Sequence, residues 1–129
     1  MSSYAISTTL SAPFESTLEA TRAALAAQGF GVLTEIDVRA TMKEKLDVDV
    51  PAQMILGACR PQLAHQALAH EPSLGVLLPC NVVVRATGDT TVVEAMDPAA
   101  MVVMTGNLEL AAVADEARAR LVAALDQLS

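Results

Sequence analysis

The chain has 129 residues, of which 53% are hydrophobic and 18% are charged, and its formal net charge is −7. This composition excludes an intrinsically disordered chain, which combines low hydrophobicity with high charge. The acidic balance and the scarcity of aromatics, one Tyr and two Phe, exclude nucleic acid as a partner, because that requires a basic surface and stacking side chains. The length suits one core, so we expect residues 1–129 to form a single domain.

Hydrophobic periodicity predicts nine elements, with alternation indicating strands and three-to-four-residue spacing indicating helices. The first five are a strand at 4–10, a helix at 13–28, a strand at Gly31–Asp37, an amphipathic helix at Val38–Leu46 and a buried strand at 52–59. The next four are a helix at Pro61–His70, the longest strand at 75–86, its hairpin partner at 91–96 and a last helix capped by Asn107. Residues 99–104 fit a short helix or a loop.

The element order β-α-β-α-β-α-β-β-α predicts an α+β fold. Alternating strands and helices favour a sheet covered by helices, and the late hairpin adds an antiparallel pair. We therefore expect a single mixed β-sheet with helices packed on it.

No segment predicts export or membrane insertion. The start of the chain lacks the basic and apolar regions of a signal peptide. The most apolar stretch, residues 74–84, is shorter than the roughly 18 to 20 residues of a spanning helix. We therefore expect a cytoplasmic protein without a membrane partner, in which Cys59 and Cys80 are free thiols.

Cys59 and Arg60 lie where a buried strand ends and the next helix begins. Strand ends and helix N-termini commonly bind anionic ligands. A thiol at this place is more nucleophilic, and Arg60 would contact an anion. The alternative is that Cys59 is a small buried core residue.

Cys80 and Asn81 follow Pro79 within the longest predicted strand. Proline in a strand indicates an edge or a bulge, which can redirect a side chain toward a site. The functional interpretation is a thiol and an amide displayed in a pocket. The alternative is a strand irregularity in which Asn81 finds hydrogen-bond partners within the fold.

Metal-site and catalytic signatures are weak in this sequence. His65 and His70 lie five residues apart and diverge by about 140° on a helix, whereas zinc-binding pairs are three or four apart. A smaller site with Cys59, Cys80 and one His requires proximity in space. Phosphate-loop, dinucleotide and nucleophile-elbow motifs do not occur. We therefore predict no catalytic residue, no cofactor and no metal site, and we expect the methionines to fill the core rather than form a copper-binding cluster.

Several motifs together resemble the domain-of-unknown-function family 302. They are Gly29-Phe30-Gly31-Val32, Glu35-Ile36-Asp37-Val38, Lys43-Glu44-Lys45-Leu46, Ile55-Leu56-Gly57-Ala58-Cys59-Arg60-Pro61 and Leu77-Leu78-Pro79-Cys80-Asn81-Val82-Val83-Val84, followed by Asp97-Pro98. The resemblance covers nearly the whole chain and implies a small, dimeric α+β domain of bacteria and archaea, but no activity. The chain departs from the family in having Arg60 where Asn is usual and Asp47 where Gly is usual. Arg60 would favour an anion in a pocket there.

We therefore predict a small homodimer that binds a small anionic ligand or performs thiol-based redox or sulfur chemistry. The predicted site comprises Cys59 as the reactive thiol, Arg60 as the anion contact, Cys80 as a second thiol and Asn81 as the residue that orients the ligand. One alternative is a non-catalytic interaction or self-assembly module with structural cysteines. A further alternative is a metal-binding protein.

Overall fold

The computed structural model describes residues 3–129, and these form five strands and five α-helices. In chain order the elements are β1 (Ala5–Leu10), α1 (Phe14–Ala27), β2 (Gly31–Asp37), α2 (Val38–Leu46), β3 (Gln53–Cys59), α3 (Pro61–His70), β4 (Cys80–Thr87), β5 (Thr90–Met96), α4 (Ala99–Thr105) and α5 (Ala111–Leu128). Short 3-10 helices lie at Pro72–Val76 and Leu108–Leu110. The α+β class and the predicted order are confirmed, and the segment that the sequence left open is α4.

The five strands form one sheet in the order β1-β5-β4-β3-β2, and all four pairings are antiparallel. The expected mixture of parallel and antiparallel pairs is therefore wrong in this detail. The connections through α2 and α3 each return the chain to the neighbouring strand at the same end of the sheet, which produces antiparallel pairs. The connection through α1 joins β1 to β2, and these edge strands do not pair.

Helices α1 and α5 cover one face of the sheet and form the main core with it. Leu56, Val82 and Val93 point to this face and are completely buried, as are Leu25 of α1 and Leu121 of α5. Alanines on both helices, Ala24 and Ala124, are also buried in this cluster. Their short side chains let the two helices pack closely on the strands.

The ends of α1 are set by Pro13 and Gly29. Pro13 precedes the helix in an extended conformation, and its carbonyl accepts bonds from the Thr17 backbone N–H and hydroxyl at 3.1 and 2.8 Å. Gly29 has φ +82°, a left-handed conformation that favours glycine after a helix. The chain then enters β2 directly at Gly31.

Strand β4 begins later than the sequence pattern predicted. The predicted strand spanned 75–86, but Pro72–Val76 form a 3-10 helix and the strand starts at Cys80. Leu74 points into a second buried cluster with Cys80 and Met101, which accounts for part of the apolar pattern. Pro79 lacks the N–H that a strand ladder requires, so pairing starts at the next residue.

The opposite face of the sheet, here called the open sheet face, carries apolar side chains that stay partly exposed. Ile36 pairs with Ile55, which pairs with Val83, so apolar residues line up across three strands. Val92 of β5 lies on the same face, and Ile36 is 49% exposed. The apolar residues on this second face contribute to the mean hydropathy of +0.42. Within residues 3–129, no helix has both the length and the apolar character to cross a membrane.

Candidate functional site

A small cavity lies where the ends of β3 and β4 meet α3, α4 and α5. Its volume is about 40 Å³. The lining residues are Phe30, Ala58, Cys59, Arg60, Leu63, Ala64, Ala67, Leu78, Cys80, Met101, Val113, Ala114 and Ala117. Five of them are alanines, whose short side chains leave the space open. Among these lining residues Arg60 alone carries a charge, so the cavity is an apolar chamber beside one cation.

Cys59 and Cys80 both line this cavity, although they belong to different strands. The antiparallel register pairs Ala58 with Cys80, and Cys59 follows Ala58 as the last residue of β3, so Cys59 lines the cavity from the end of its strand and not from the sheet face of Cys80. Cys59 is half-buried and Cys80 is 7% exposed, and both are free thiols. The structure thus brings together the two cysteines that the sequence singled out separately.

The two thiols differ in their electrostatic surroundings. Burial, and secondarily the negative charge of a Cys59 thiolate, raises the pKa of Cys80 to about 11. Cys80 is therefore a neutral thiol at neutral pH. Cys59 is the more accessible sulfur of the pair.

Arg60 lies at the N-terminus of α3 and reaches toward α5. Its Nη1 is 3.8 Å from Glu116 Oε2, and Glu116 also accepts a hydrogen bond from Arg120 Nε at 3.1 Å. The Nε of Arg60 is buried and has no hydrogen-bond partner among the described residues. The side chain packs over Gly29, where an added Cβ would lie 3.0 Å from this nitrogen. One buried N–H thus remains available to an acceptor at the cavity wall.

Asn81 does not share the cavity with the other three predicted site residues. Successive side chains of a strand point to opposite faces, so Asn81 points away from Cys80 onto the open sheet face. There it is exposed and lies in a surface depression near Val83 and Glu94. The expectation that it orients a ligand beside Cys80 is not supported by this placement.

Met101 is a cavity residue that the sequence analysis assigned only to the core. It lies on α4 and is 7% exposed. Its segment was ambiguous in the sequence, and a methionine among apolar residues carries no signal that separates a cavity wall from core filling. The register and the helix packing that place it beside Cys80 are properties of the folded chain.

The two histidines lie outside the cavity. His65 is on the exposed side of α3, and His70 Nδ1 lies 3.0 Å from Glu109 Oε2 at the surface. Residues 3–129 contain no group of three or more His, Cys, Asp or Glu side chains placed to hold a metal ion.

Comparisons with known proteins agree with this fold. The family model described as "Domain of unknown function DUF302" matches residues 6–128. The crystal structure of an uncharacterized conserved protein DUF302 from Bacillus stearothermophilus is similar, with a TM-score of 0.91 and 29% sequence identity over 99% of this chain and 100% of that chain. No curated protein matches the chain. The matched region includes every element that lines the cavity.

Proposed function

Because the chain belongs to the DUF302 family, whose description names no activity, we propose a function from the geometry of its own cavity. We propose that the protein binds a ligand of a few atoms through the thiols of Cys59 and Cys80, beside the guanidinium of Arg60. The observation that supports this most directly is that both cysteines line one small apolar cavity. Free thiols persist in reducing compartments, so we also propose a cytoplasmic location.

The size of the cavity limits the ligand. Pockets for cofactors and drug-sized molecules occupy about 300 to 1,000 Å³. A volume of about 40 Å³ has room for about three water-sized groups. A nucleotide, a sugar or a coenzyme is therefore too large, whereas an ion or a very small molecule fits.

The two thiols are suited to different tasks. Cys59 is half-buried, is the last residue of β3 and is followed by Arg60, the residue that precedes α3. A thiol in such surroundings is a better nucleophile than a free thiol. Cys80 is deeply buried and faces the ligand from the neighbouring strand. We therefore propose that Cys59 makes the first contact and Cys80 completes the site.

Alkylation by iodoacetamide, followed residue by residue with mass spectrometry, tests this assignment. We expect Cys59 to react faster than glutathione in the same buffer and Cys80 to react last. Arg60→Gln should slow alkylation of Cys59 by about twofold to fivefold, because it removes the neighbouring positive charge. Arg118→Gln is the matched control. It removes an arginine elsewhere on α5 that pairs with Asp97, and it should leave the alkylation rate of Cys59 unchanged. The reactive-thiol assignment is wrong if Cys59 reacts no faster than glutathione.

The open sheet face favours a second candidate function, assembly of two copies of the chain. An antiparallel sheet face that meets water is usually polar, but this one carries Ile36, Ile55, Val83 and Val92 beside the Arg85–Glu94 pair. A twofold contact places one patch against the same patch of a second copy, so the apolar strip of one copy would be buried against the apolar strip of the other. We propose a homodimer through this face. In this candidate the cysteines serve packing alone.

A further inference from the structure

Met101 brings a third sulfur atom to the wall of the cavity. It belongs to the same buried cluster as Cys80, and Cys59 lines the same cavity from the end of β3. Two cysteines and one methionine thus line a space of about 40 Å³ whose other lining residues, apart from Arg60, are apolar. They come from three separate elements, β3, β4 and α4, so the tertiary fold creates this group of sulfurs.

We propose that this cavity binds one Cu(I) ion, with the Cys59 and Cys80 thiolates as its principal ligands and the Met101 thioether as the third. The inference rests on the proposed function, because it names the class of small ligand that the two thiols hold. On binding, each thiol gives its proton to the solvent and each sulfur forms one bond to the ion. No electron is transferred, because the ion enters and stays in the monovalent state.

The ligand types favour a soft monovalent ion over zinc. Thiolate and thioether sulfurs select Cu(I), which accepts low coordination numbers. Structural zinc sites use four Cys, His or carboxylate ligands in a tetrahedron. The described residues place no third such ligand beside the two cysteines, and His65 and His70 lie on the outer side of α3.

Arg60 offsets part of the negative charge of the site. Two thiolates and one monovalent cation carry a net charge of −1, which an apolar cavity holds better with a cation nearby. The Arg60 guanidinium lines the same cavity, and its Nε–H is buried without an acceptor. A thiolate sulfur is a suitable acceptor for that N–H. Because Arg60 also lies 3.8 Å from Glu116, the choice of a monovalent ion rests on the ligand types and not on the charge.

The size of the cavity agrees with the same occupant. A single ion without its hydration shell fits within about 40 Å³. The apolar walls supply no oxygen ligand to compete for the ion, and they keep out water that would compete as a ligand. A larger thiol-bound group, such as a glutathione adduct, would not fit in this space.

An anaerobic titration of the reduced protein with Cu(I) against a chromophoric Cu(I) chelator tests the proposal. We expect one ion per chain and an ultraviolet thiolate-to-copper charge-transfer band. Cys59→Ser and Cys80→Ser should each weaken binding by about 100-fold or more, and Met101→Leu by about tenfold. Met104→Leu is the matched control, since Met104 lies on the same helix but is 71% exposed, and it should bind as the wild type does.

Circular dichroism of each variant shows whether it is folded. If a cysteine variant unfolds, Met101→Leu still tests the proposal, because this substitution preserves the side-chain volume. Equal binding by Met101→Leu and the wild type overturns the proposal, as does tighter binding of Zn²⁺ than of Cu(I). Alkylation of the metal-free protein distinguishes a failure of the Cu(I) site from a failure of the proposed thiol site. Fast, selective alkylation of Cys59 without Cu(I) binding would overturn the metal site and leave the thiol site standing. Slow alkylation without Cu(I) binding would contradict both.

Discussion

Cys80 links the packing of the core to the chemistry of the cavity. Because burial raises the pKa of its thiol to about 11, the folded chain holds this proton more tightly than the unfolded chain, whose thiol titrates near its ordinary value of 9.0. The sign follows from linkage: the stabilising contribution is complete below pH 9 and is lost as the pH rises toward 11. Alkaline conditions should therefore favour unfolding through this residue.

Urea unfolding of the wild type and of Cys80→Ala at pH 7, 9 and 11 measures this contribution. We expect the wild type to lose on the order of 2 kcal/mol more than the variant between pH 9 and 11. At pH 7 the variant should be less stable by about 1 kcal/mol, because alanine leaves a small void in the second buried cluster. Parallel pH profiles for the two proteins would contradict the assignment.

Residue types and spacing predicted the cavity in part. Cys59 and Arg60 stood out because a thiol and a cation occur at a strand-to-helix junction, and Cys80 because it follows a proline beside a strand. Asn81 was grouped with Cys80 although strand alternation sends neighbours to opposite faces. Met101 gave no signal, since its distance from Cys80 depends on how α4 packs. Contacts between distant elements are the part that one sequence leaves open.

At the scale of elements, a polar group on the open sheet face ties three strands together. Glu94 of β5 accepts hydrogen bonds from Arg85 of β4, at 2.8 and 3.2 Å, and from the hydroxyl of Ser7 of β1, at 2.8 Å. The bonds from Arg85, and then from Ser7, hold the pKa of Glu94 below its ordinary value. This group stabilises the fold above the ordinary carboxyl pKa, and the contribution is lost as the pH falls through the lowered value.

Glu94→Gln tests how much this hydrogen-bonded group of three strands contributes to stability. At pH 7 we expect a loss of about 0.5 to 1 kcal/mol in unfolding free energy, because the carboxylate is partly exposed and its ion pair is screened by water. At pH 3 the difference from the wild type should shrink, since protonation weakens the native pair. Glu44→Gln on the exposed helix α2 is the surface control. A difference that stays constant with pH would show that the ion pair contributes little.

Local patterns predicted most elements because they carry short-range information. Alternation marked β5, the helical stripe marked α1, and Gly29 marked the end of that helix. The start of β4 is predicted too early because the Leu- and Val-rich stretch 74–78, which lies in and after a 3-10 helix, resembles a strand in the sequence. The pairing direction was misjudged because a helical connection is compatible with both parallel and antiparallel neighbours. Hydrogen-bond partners settle that direction, and they lie far apart in sequence.

At the scale of the whole molecule, two buried clusters meet at the cavity. Ala58 belongs to the main core and its register partner Cys80 belongs to the second cluster. The two clusters are thus joined through the central strands of one sheet. We propose that residues 1–129 form a single domain that unfolds as one unit.

The proposed homodimer makes a prediction at this same scale. Sedimentation of the wild type should give twice the chain mass of 13.4 kDa. Ile36→Glu places a charge on the exposed edge of the apolar strip, where the monomer tolerates it, and should weaken the dimer by about tenfold or more because the charge loses its water in the interface. Leu108→Glu is the control, since Leu108 is 81% exposed and lies away from the sheet. A wild type that sediments as a monomer would overturn the interface.

The contact between Gly29 and Arg60 constrains how this chain can vary. Position 29 must adopt a left-handed φ to end α1, and it must also leave room for the guanidinium that packs over it. A side chain at position 29 would be strained by the left-handed φ and would also contact the Arg60 side chain. A shorter residue at position 60 would remove the contact but not the strain. Two positions far apart in the chain are thereby coupled by space: the glycine that ends a helix also makes room for the arginine that lines the cavity.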